Sequence, residues 1–357
     1  MRKTLQTMVA AFVTLGAAPL LAQSLDLTVN DYGISIGDSR HVNGLRINFR
    51  DRRMEEVNGI NITAWFPYEQ NDGGVKGLAL GLPATGAGRG IDGIAAGIIG
   101  VGVGETLRGI GVGGIGLGMG EDLRGIGVGG IGLGVGHDIR GLAIGGIGMG
   151  IGNNLRGIGI GGIGMGIGQD LRGAGVGGIG MGIGGDMRGL AIGGIGVGVG
   201  GHSRGILIGG IGAGVGGDVE GVTIAGVGLG AGGDVTGVQI AGIGLGVGGT
   251  LKWVSIAGAG IGASRIEGLA VASAVGAESV NGLVIAPFYF RIANGGNTRG
   301  VNMSAWNNVH GTQRGLAIGI FNYARTLDGL QVGLLNYARN KPRGSRLLPI
   351  VNFARAR

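Results

Sequence analysis

Glycine and aliphatic residues alternate through most of this chain, and the alternation itself repeats every sixteen residues. The unit occurs twelve times from Val75 to Ile266, and one well-kept copy is Leu107-Arg-Gly-Ile-Gly-Val-Gly-Gly-Ile-Gly-Leu-Gly-Met-Gly-Glu-Asp122. A fixed short period is typical of a solenoid, in which each coil contacts only its neighbours. Because alternation with period two indicates strands, we predict an all-β, glycine-rich β-solenoid with sixteen-residue coils and two short strands per coil.

The degenerate copies predict which positions face the core. Each copy has five aliphatic positions, which in the copy above are Ile110, Val112, Ile115, Leu117 and Met119. The position of Gly111 becomes Thr223, Gln239 and Ser255 in later copies. Because polar residues are mostly exposed in folded proteins, we expect the Gly111 position to face solvent and the aliphatic positions to form the core.

Looser copies of the unit flank the regular array, so we divide the chain into residues 1–22, 23–74, 75–266 and 267–357. The first part joins Met1-Arg-Lys3 to an apolar run from Met8 to Ala22 and resembles a secretory signal that is cleaved after Ala22. A membrane anchor is the alternative, although the run is short for a span. The second and fourth parts are richer in polar and aromatic residues, as expected of looser coils that cap a solenoid.

The best flanking copies are Gly315-Leu-Ala-Ile-Gly-Ile-Phe-Asn322 and Gly329-Leu-Gln-Val-Gly-Leu-Leu-Asn336. In this short Gly-(Leu/Val/Ile)-x-(Ile/Val)-Gly unit the chain resembles bacterial surface-repeat proteins. The resemblance covers the flanks well and the central array loosely. It implies an exported or cell-surface protein, and it supplies no catalytic residues to transfer.

Composition supports a folded repeat protein. Glycine accounts for 93 of 357 residues, but 44% of the chain is hydrophobic and only 14% is charged, which excludes a disordered polar linker. Collagen is excluded because glycine recurs mostly at every second residue. The chain contains no cysteine, so stability in an oxidising compartment must come from stacking of coils and not from disulfides.

An outer-membrane β-barrel is the first alternative fold, since short strands that alternate apolar and small residues also suit that environment. Two observations count against it. Every unit carries the same corner, whereas an up-and-down barrel would repeat as a pair of strands. No Phe, Tyr or Trp occurs from Lys76 to Lys252, although membrane barrels carry aromatic girdles. Membrane association is left open by the sequence.

Motifs that suggest chemistry are mostly by-products of the repeat. Gly111-Val-Gly-Gly-Ile-Gly116 matches a dinucleotide fingerprint, but no helix-forming stretch follows it. Asp186, Asp218 and Asp234 follow glycines at the corners as in calcium-binding solenoids, but one carboxylate per coil favours turn formation. The four histidines, His41, His137, His202 and His310, lack ligand spacing. We therefore predict no enzyme activity and no cofactor, and we expect no nucleic-acid partner.

Seven arginines recur at sixteen-residue intervals and define what we call the arginine edge: Arg108, Arg124, Arg140, Arg156, Arg172, Arg188 and Arg204. The nearby corner acids Asp122, Asp138, Asp170 and Asp186 favour a solvated ion-pair edge. The functional alternative is a linear binding site for lipopolysaccharide, another acidic polysaccharide or a polyanion of the cell envelope.

Glycine also persists at positions where a strand does not require it. We call these positions the glycine face, and they include Gly116, Gly118, Gly120, Gly132, Gly148, Gly164, Gly180 and Gly196. Because glycine carries an entropic cost, a whole face of it suggests close packing by another surface, such as a second copy of the chain. The alternative is repeat duplication that copied a small residue without selection.

Three asparagines occupy related phrases near the C-terminus: Asn322, Asn336 and Asn352. They predict a stacked asparagine ladder, with a sugar-binding groove lined by Asn and Tyr as the alternative.

Taken together, the sequence predicts an exported, non-enzymatic protein of the periplasm, outer membrane or cell surface that acts as a structural or binding element. The alternatives are an outer-membrane pore and a glycan-binding adhesin.

Overall fold

The computed structural model describes residues 24–67 and 72–355, and 74% of these residues are in strands. The fold is a β-solenoid of about 17 turns with coils of about 16 residues, which confirms the fold prediction. The predicted signal sequence, residues 1–22, lies outside the described residues. Within those residues no helix is long and apolar enough to cross a membrane.

The chain divides into two compact units between Val135 and Gly136. The strands of the first unit are β1 Ser24–Val29, β2 Tyr32–Gly37, β3 His41–Asn48, β4 Glu56–Thr63, β5 Gly74–Gly81, β6 Ala84–Ala87, β7 Gly90–Gly97, β8 Gly100–Val103, β9 Thr106–Gly113, β10 Gly116–Met119, β11 Leu123–Gly129 and β12 Gly132–Val135. From β5 onward a longer strand and a four-residue strand alternate, so each coil has two strands, as predicted.

The second unit continues the two-strand coil and then changes it. Its regular strands are β13 Ile139–Gly145, β14 Gly148–Ile151, β15 Leu155–Gly161, β16 Gly164–Ile167, β17 Leu171–Gly177, β18 Gly180–Ile183, β19 Met187–Gly193, β20 Gly196–Val199, β21 Ser203–Gly209, β22 Gly212–Val215, β23 Val219–Ala225, β24 Gly228–Ala231 and β25 Val235–Ala241. The later elements are β26 Gly244–Ala257, β27 Gly260–Val271, β28 Ala274–Ile285, β29 Tyr289–Met303, β30 Trp306–Ala338, a 3₁₀ turn Arg343–Ser345 and β31 Leu347–Ala354.

Strands of successive coils pair in parallel, and the pairing sets the register of every outward side chain. In the second unit Ile139 pairs with Leu155 and Gly148 with Gly164, so equivalent positions of neighbouring coils lie side by side. The later coils are less regular, since Gly260 pairs with Ala274 and Gly282 with Gly300. The outermost strands pair in antiparallel fashion, β1 with β2 and β30 with β31, which covers edges that would otherwise expose unpaired backbone groups.

The prediction of which positions face the core is wrong for part of the repeat. Leu117 and Met119 are buried, but Ile110, Val112 and Ile115 are 38%, 40% and 49% exposed. Conversely, Thr223, Gln239 and Ser255 are at most 2% exposed, so the Gly111 position points into the solenoid and not to solvent. The core of the coil therefore consists of Leu107, Leu117 and Met119 around the backbone of Gly111.

The reversal has a packing cause. Ordinary alternation points Leu107 and Gly111 inward and Arg108 and Ile110 outward, and Gly109 between them has a φ of 125°, which only glycine adopts readily. A methyl group on Gly111 would lie 2.4 Å from a side-chain carbon of Leu107. The Gly111 position is therefore small because Leu107 already occupies the interior beside it.

Candidate functional site

The regular coils present different surfaces on their two strands. The longer strand carries the arginine edge and, beside it, two outward aliphatic positions equivalent to Ile110 and Val112. The shorter strand carries the glycine face, and isoleucines equivalent to Ile115 lie at the corner between the two strands. We call the aliphatic positions of the longer strands, together with the corner isoleucines, the aliphatic face.

The arginines of the edge lie in register on consecutive coils of the second unit. Arg140 pairs with Arg156, Arg156 with Arg172, Arg172 with Arg188 and Arg188 with Arg204. In the first unit, Arg108 and Arg124 pair in the same way. This placement puts the guanidinium groups of one unit in a continuous row along neighbouring strands, and like charges in such a row require counter-charges or solvent screening.

The counter-charges are unevenly supplied. Ion pairs join Arg108 to Asp92 at 3.3 Å, Arg124 to Asp122 at 2.9 Å, Arg140 to Asp138 at 3.8 Å, Arg172 to Asp170 at 3.7 Å and Arg204 to Glu220 at 2.5 Å. Among the described residues, no carboxylate oxygen lies within 4.0 Å of Arg156 or Arg188. Asn154 stands where Asp122, Asp138 and Asp170 stand in neighbouring coils, so Arg156 has no carboxylate at this corner, whereas Asp186 is present beside Arg188 but does not reach it.

The corner residues bind the backbone of the next coil. Asp186 Oδ1 accepts a hydrogen bond from the N–H of His202 at 2.9 Å, and Asp218 Oδ1 accepts one from the N–H of Asp234 at 2.8 Å. Asp234 Oδ1 accepts from Thr250 at 2.7 Å, and His202 Nδ1 from Asp218 at 3.0 Å. These three aspartates therefore link coils at the corner. In the part of the chain that the structure describes, no three His, Cys, Asp or Glu residues are grouped closely enough to hold a metal ion.

The glycine face consists of two kinds of position. A methyl group on Gly118 would meet no atom within 4 Å, and one on Gly116 would come no closer than 3.9 Å to the carbonyl oxygen of Gly132. A methyl group on Gly120, however, would lie 1.9 Å from the carbonyl oxygen of Gly104. The fold itself therefore requires glycine at the Gly120 position, whereas at Gly116 and Gly118 it leaves open space. The other predicted members, Gly132, Gly148, Gly164, Gly180 and Gly196, are equivalent to Gly116.

A charged network buried in the first unit was not predicted from the sequence. The side chain of Arg46 is fully buried and forms ion pairs with Asp51 and with Asp38, the second at 2.9 Å, and it donates a hydrogen bond to Asn61 Oδ1 at 2.8 Å. Arg46 and Asn61 occupy the column of the Gly111 position. Arg46 does lie between Leu45 and Ile47 in an alternating segment, so the correct orientation of that column would have predicted its burial.

The asparagines near the C-terminus form the predicted ladder. Asn307 Nδ2 donates to Asn322 Oδ1 and Asn322 Nδ2 donates to Asn336 Oδ1, both at 2.7 Å. Asn352 Nδ2 donates to the carbonyl oxygen of Asn336 at 3.1 Å. All four side chains are fully buried, so the alternative of a sugar groove lined by these asparagines is wrong.

Five aromatic side chains in the last strands of the second unit, which we call the aromatic row, are half-buried or exposed. The Tyr289 and Trp306 rings lie 5.6 Å apart, and the Trp306 and Phe321 rings lie 6.0 Å apart, both edge to face. The rings of Tyr323 and Tyr337 are stacked at 5.5 Å. Trp306 is 49% exposed, so about half of its side chain is open to solvent.

A charged cleft in the first unit has a volume of about 330 Å³. Its lining includes Glu56, Lys76, Arg89, Asp92 and Arg108. Lys76 Nζ donates a hydrogen bond to Glu56 Oε1 at 2.6 Å, and this bond lowers the pKa of Glu56 and raises the pKa of Lys76. The cleft thus contains paired charges of both signs.

No protein-family model, curated protein or solved structure matches this chain.

Proposed function

We propose that this protein is an exported, non-enzymatic repeat protein of the bacterial cell envelope, and that its arginine edge binds an extended anionic polymer such as lipopolysaccharide or another acidic polysaccharide. The observation that carries the proposal is the register of Arg140, Arg156, Arg172, Arg188 and Arg204 on five consecutive coils. Parallel strands lie about 4.8 Å apart, so the guanidinium groups recur at a short and constant interval. A repetitive polymer can engage several such groups at once.

The state of the carboxylates near the edge supports anion binding. Asp138 and Asp170 use Oδ1 to accept a backbone N–H of the next coil, and they lie 3.8 and 3.7 Å from their arginines. The side chains of Arg140 and Arg172 are 47% and 49% exposed. Such exposed pairs are worth at most about 1 kcal/mol, so an incoming anion can compete for the arginines.

Binding of purified lipopolysaccharide and of polygalacturonate to the full chain tests this proposal. Changing all five arginines, Arg140, Arg156, Arg172, Arg188 and Arg204, to Gln should weaken binding by at least about 30-fold, and binding should fall steeply with salt. The matched control changes five exposed arginines outside the edge to Gln, namely Arg291, Arg325, Arg339, Arg343 and Arg355. Equal losses in both variants, or no loss in the first, would refute a specific anion site.

Export is tested separately. We expect the mature chain to begin after Ala22 and to be recovered from the periplasm, the outer membrane or the cell surface. Fractionation combined with N-terminal sequencing of the recovered protein measures both. Recovery of an unprocessed chain from the cytoplasm would contradict export without affecting the anion-binding experiment.

A second candidate function is glycan binding by the aromatic row, which the exposed Trp306 ring between Tyr289 and Phe321 favours. Aromatic side chains combine a large apolar surface with low conformational entropy, as sugar-binding surfaces require. Trp306→Ala should abolish binding on a glycan array, whereas Trp253→Ala, which removes a 66% exposed tryptophan outside the row, should not. Retention of all glycan signals by Trp306→Ala would exclude this function.

A further inference from the structure

The aliphatic face of the second unit is an extended apolar surface that the fold leaves open to solvent. It is built on the seven odd-numbered strands from β13 to β25, which are the longer strands of their coils, and on residues 251–257 of β26. Exposed members of its two strand columns include Ile158 at 48%, Ile160 at 38%, Ile206 at 44% and Ile240 at 39%. The corner column is at least as exposed, with Ile163 at 49%, Ile195 at 50% and Ile211 at 51%.

The size of the face exceeds that of ordinary surface patches. From the Ile158 position to the corner Ile163 position the face is six residues or about 20 Å wide, and eight strands about 4.8 Å apart span about 38 Å, so the face covers roughly 760 Å². The largest apolar patch of a typical monomer is about 300–600 Å². A stable protein–protein interface buries about 800 Å² on each partner.

We propose that the aliphatic face is a self-association surface on which a second copy of this chain packs sheet against sheet. The proposal requires neither export nor anion binding by the arginine edge. A second copy carries the same apolar columns at the same strand spacing, so the two faces match along the whole array. A partner of different sequence would not carry apolar columns at this repeat spacing.

The arrangement of polar and apolar groups also fits a pair of protein chains. A two-fold axis parallel to the columns lays the apolar columns of the two copies over one another and leaves each arginine edge at a margin. An apolar centre with a polar, solvated rim is the usual anatomy of a protein interface. A lipid surface fits less well, because residues 136–257 contain a single Trp253 and no Tyr or Phe, whereas a membrane interface is occupied by several aromatic residues.

Sedimentation velocity of the full chain, with and without changes on the face, tests the proposal. We expect the wild type to dimerise at micromolar concentration. Changing Ile160, Val176, Ile192 and Ile208 to Thr keeps β-branched residues but removes apolar surface from both copies, and should weaken the dimer by at least about 100-fold. Circular dichroism and the melting temperature establish that this variant is folded.

A matched control changes Gly166, Gly182, Gly198 and Gly214, which lie on the opposite side of the same coils, to Thr. A Cβ at each of these glycines meets no atom within 4 Å, so the control should fold and dimerise like the wild type. A wild type that stays monomeric at about 100 μM, a threonine variant that still dimerises, or dissociation caused by the control would each overturn the proposal.

A second measurement covers the case in which the threonine variant fails to fold. The chain has no cysteine, so single cysteines can be introduced without background. Packed sheets lie about 10 Å apart, so a short bismaleimide should cross-link two copies of Ile192→Cys. It should not cross-link Gly198→Cys, which lies on the other side of the same coil. Cross-linking of Gly198→Cys alone would assign the interface to the glycine face, and cross-linking of neither variant would exclude packing through this part of the aliphatic face.

Discussion

Ser203 and Leu207 both point into the core of one coil. The preceding coil has a large and then a small residue at these two positions, whereas here the small residue comes first. In register, Ser203 replaces Met187 and Leu207 replaces Ala191. Ser203 is 3% exposed and Leu207 is fully buried. The interior of a coil thus keeps its total volume while individual positions vary, which is the substitution pattern that close-packed cores tolerate best.

The exchange predicts a coupled pair of mutations. Leu207→Ala should lower the free energy of unfolding by about 2–5 kcal/mol, because it leaves a cavity beside the small Ser203. Ser203→Leu alone should overfill the coil and cost about 1–3 kcal/mol. The double variant restores the large-then-small order and should be more stable than the sum of the single effects. Chemical denaturation of all four proteins measures the coupling, and additive effects would contradict the shared space.

Gln239 is predicted to be a source of instability. It is fully buried, and neither its amide oxygen nor its amide nitrogen has a hydrogen-bond partner among the described residues. Leu207 occupies the equivalent position two coils earlier, so Gln239→Leu should fit and raise the free energy of unfolding by about 1–3 kcal/mol. Thermal and urea denaturation measure the change.

Gln313 supplies the matched control for that change. It is also fully buried, but it donates to the carbonyl oxygen of Leu330 at 3.2 Å and accepts from Gln331 at 3.0 Å. Gln313→Leu leaves Gln331 without its partner and should destabilise the protein. Destabilisation by both substitutions would show that Gln239 is satisfied by water.

The two kinds of position on the glycine face respond differently to a methyl group. Gly166 has open space in front of it, so Gly166→Ala should leave stability unchanged or raise it by up to about 1 kcal/mol, because alanine restricts the unfolded chain. A Cβ on Gly168 would lie 1.9 Å from the carbonyl oxygen of Gly152. Gly168→Ala should therefore cost about 1–3 kcal/mol. Melting curves of the two variants provide the comparison, and similar effects at both positions would be inconsistent with this division.

The corner ladder should depend on an acceptor and not on a charge. Asp170 Oδ1 accepts the N–H of Asp186 at 2.9 Å, and in the preceding coil Asn154 Oδ1 accepts the N–H of Asp170 at 3.2 Å. Asp170→Ala should therefore lower the free energy of unfolding by about 1–2 kcal/mol, whereas Asp170→Asn should keep most of the wild-type stability. Equal losses in urea denaturation would show that the carboxylate acts through its charge.

Acid should weaken the first hairpin, formed by β1 and β2. Hydrogen bonds from Ser35, at 2.6 Å, and from Ser39 lower the pKa of Asp26 below its ordinary value of 3.8. A carboxyl group whose pKa is lowered by folding stabilises the native state above its unfolded pKa, and this contribution is lost as the pH falls through the folded value. The protection factors of the β1 and β2 amides, which correct for the intrinsic pH dependence of exchange, should therefore fall below about pH 4 in the wild type. In Asp26→Asn it should show little change over the same range.

The sequence by itself determined the architecture of this protein. The sixteen-residue period requires equivalent residues such as Arg156 and Arg172 to lie side by side, because a repeated unit that buries its apolar residues only by stacking must place each copy on the last. The glycine-aliphatic alternation predicted the strands, and the Asn-Tyr-Ala-Arg phrases predicted the asparagine ladder. Local periodicity was sufficient for each of these.

Only the tertiary structure decided which side of each strand faces the core. Alternation separates Ile110 from Gly111 but does not assign either side to the interior, since both an aliphatic column and a glycine column can line a narrow core. The assignment depends on packing inside the coil, where the side chains of Leu107 and Leu117 of the two strands meet in front of Gly111. For that reason the polar residues Arg46 and Gln239 proved to be buried, and isoleucines that the sequence assigned to the core form an extended exposed surface on the regular coils.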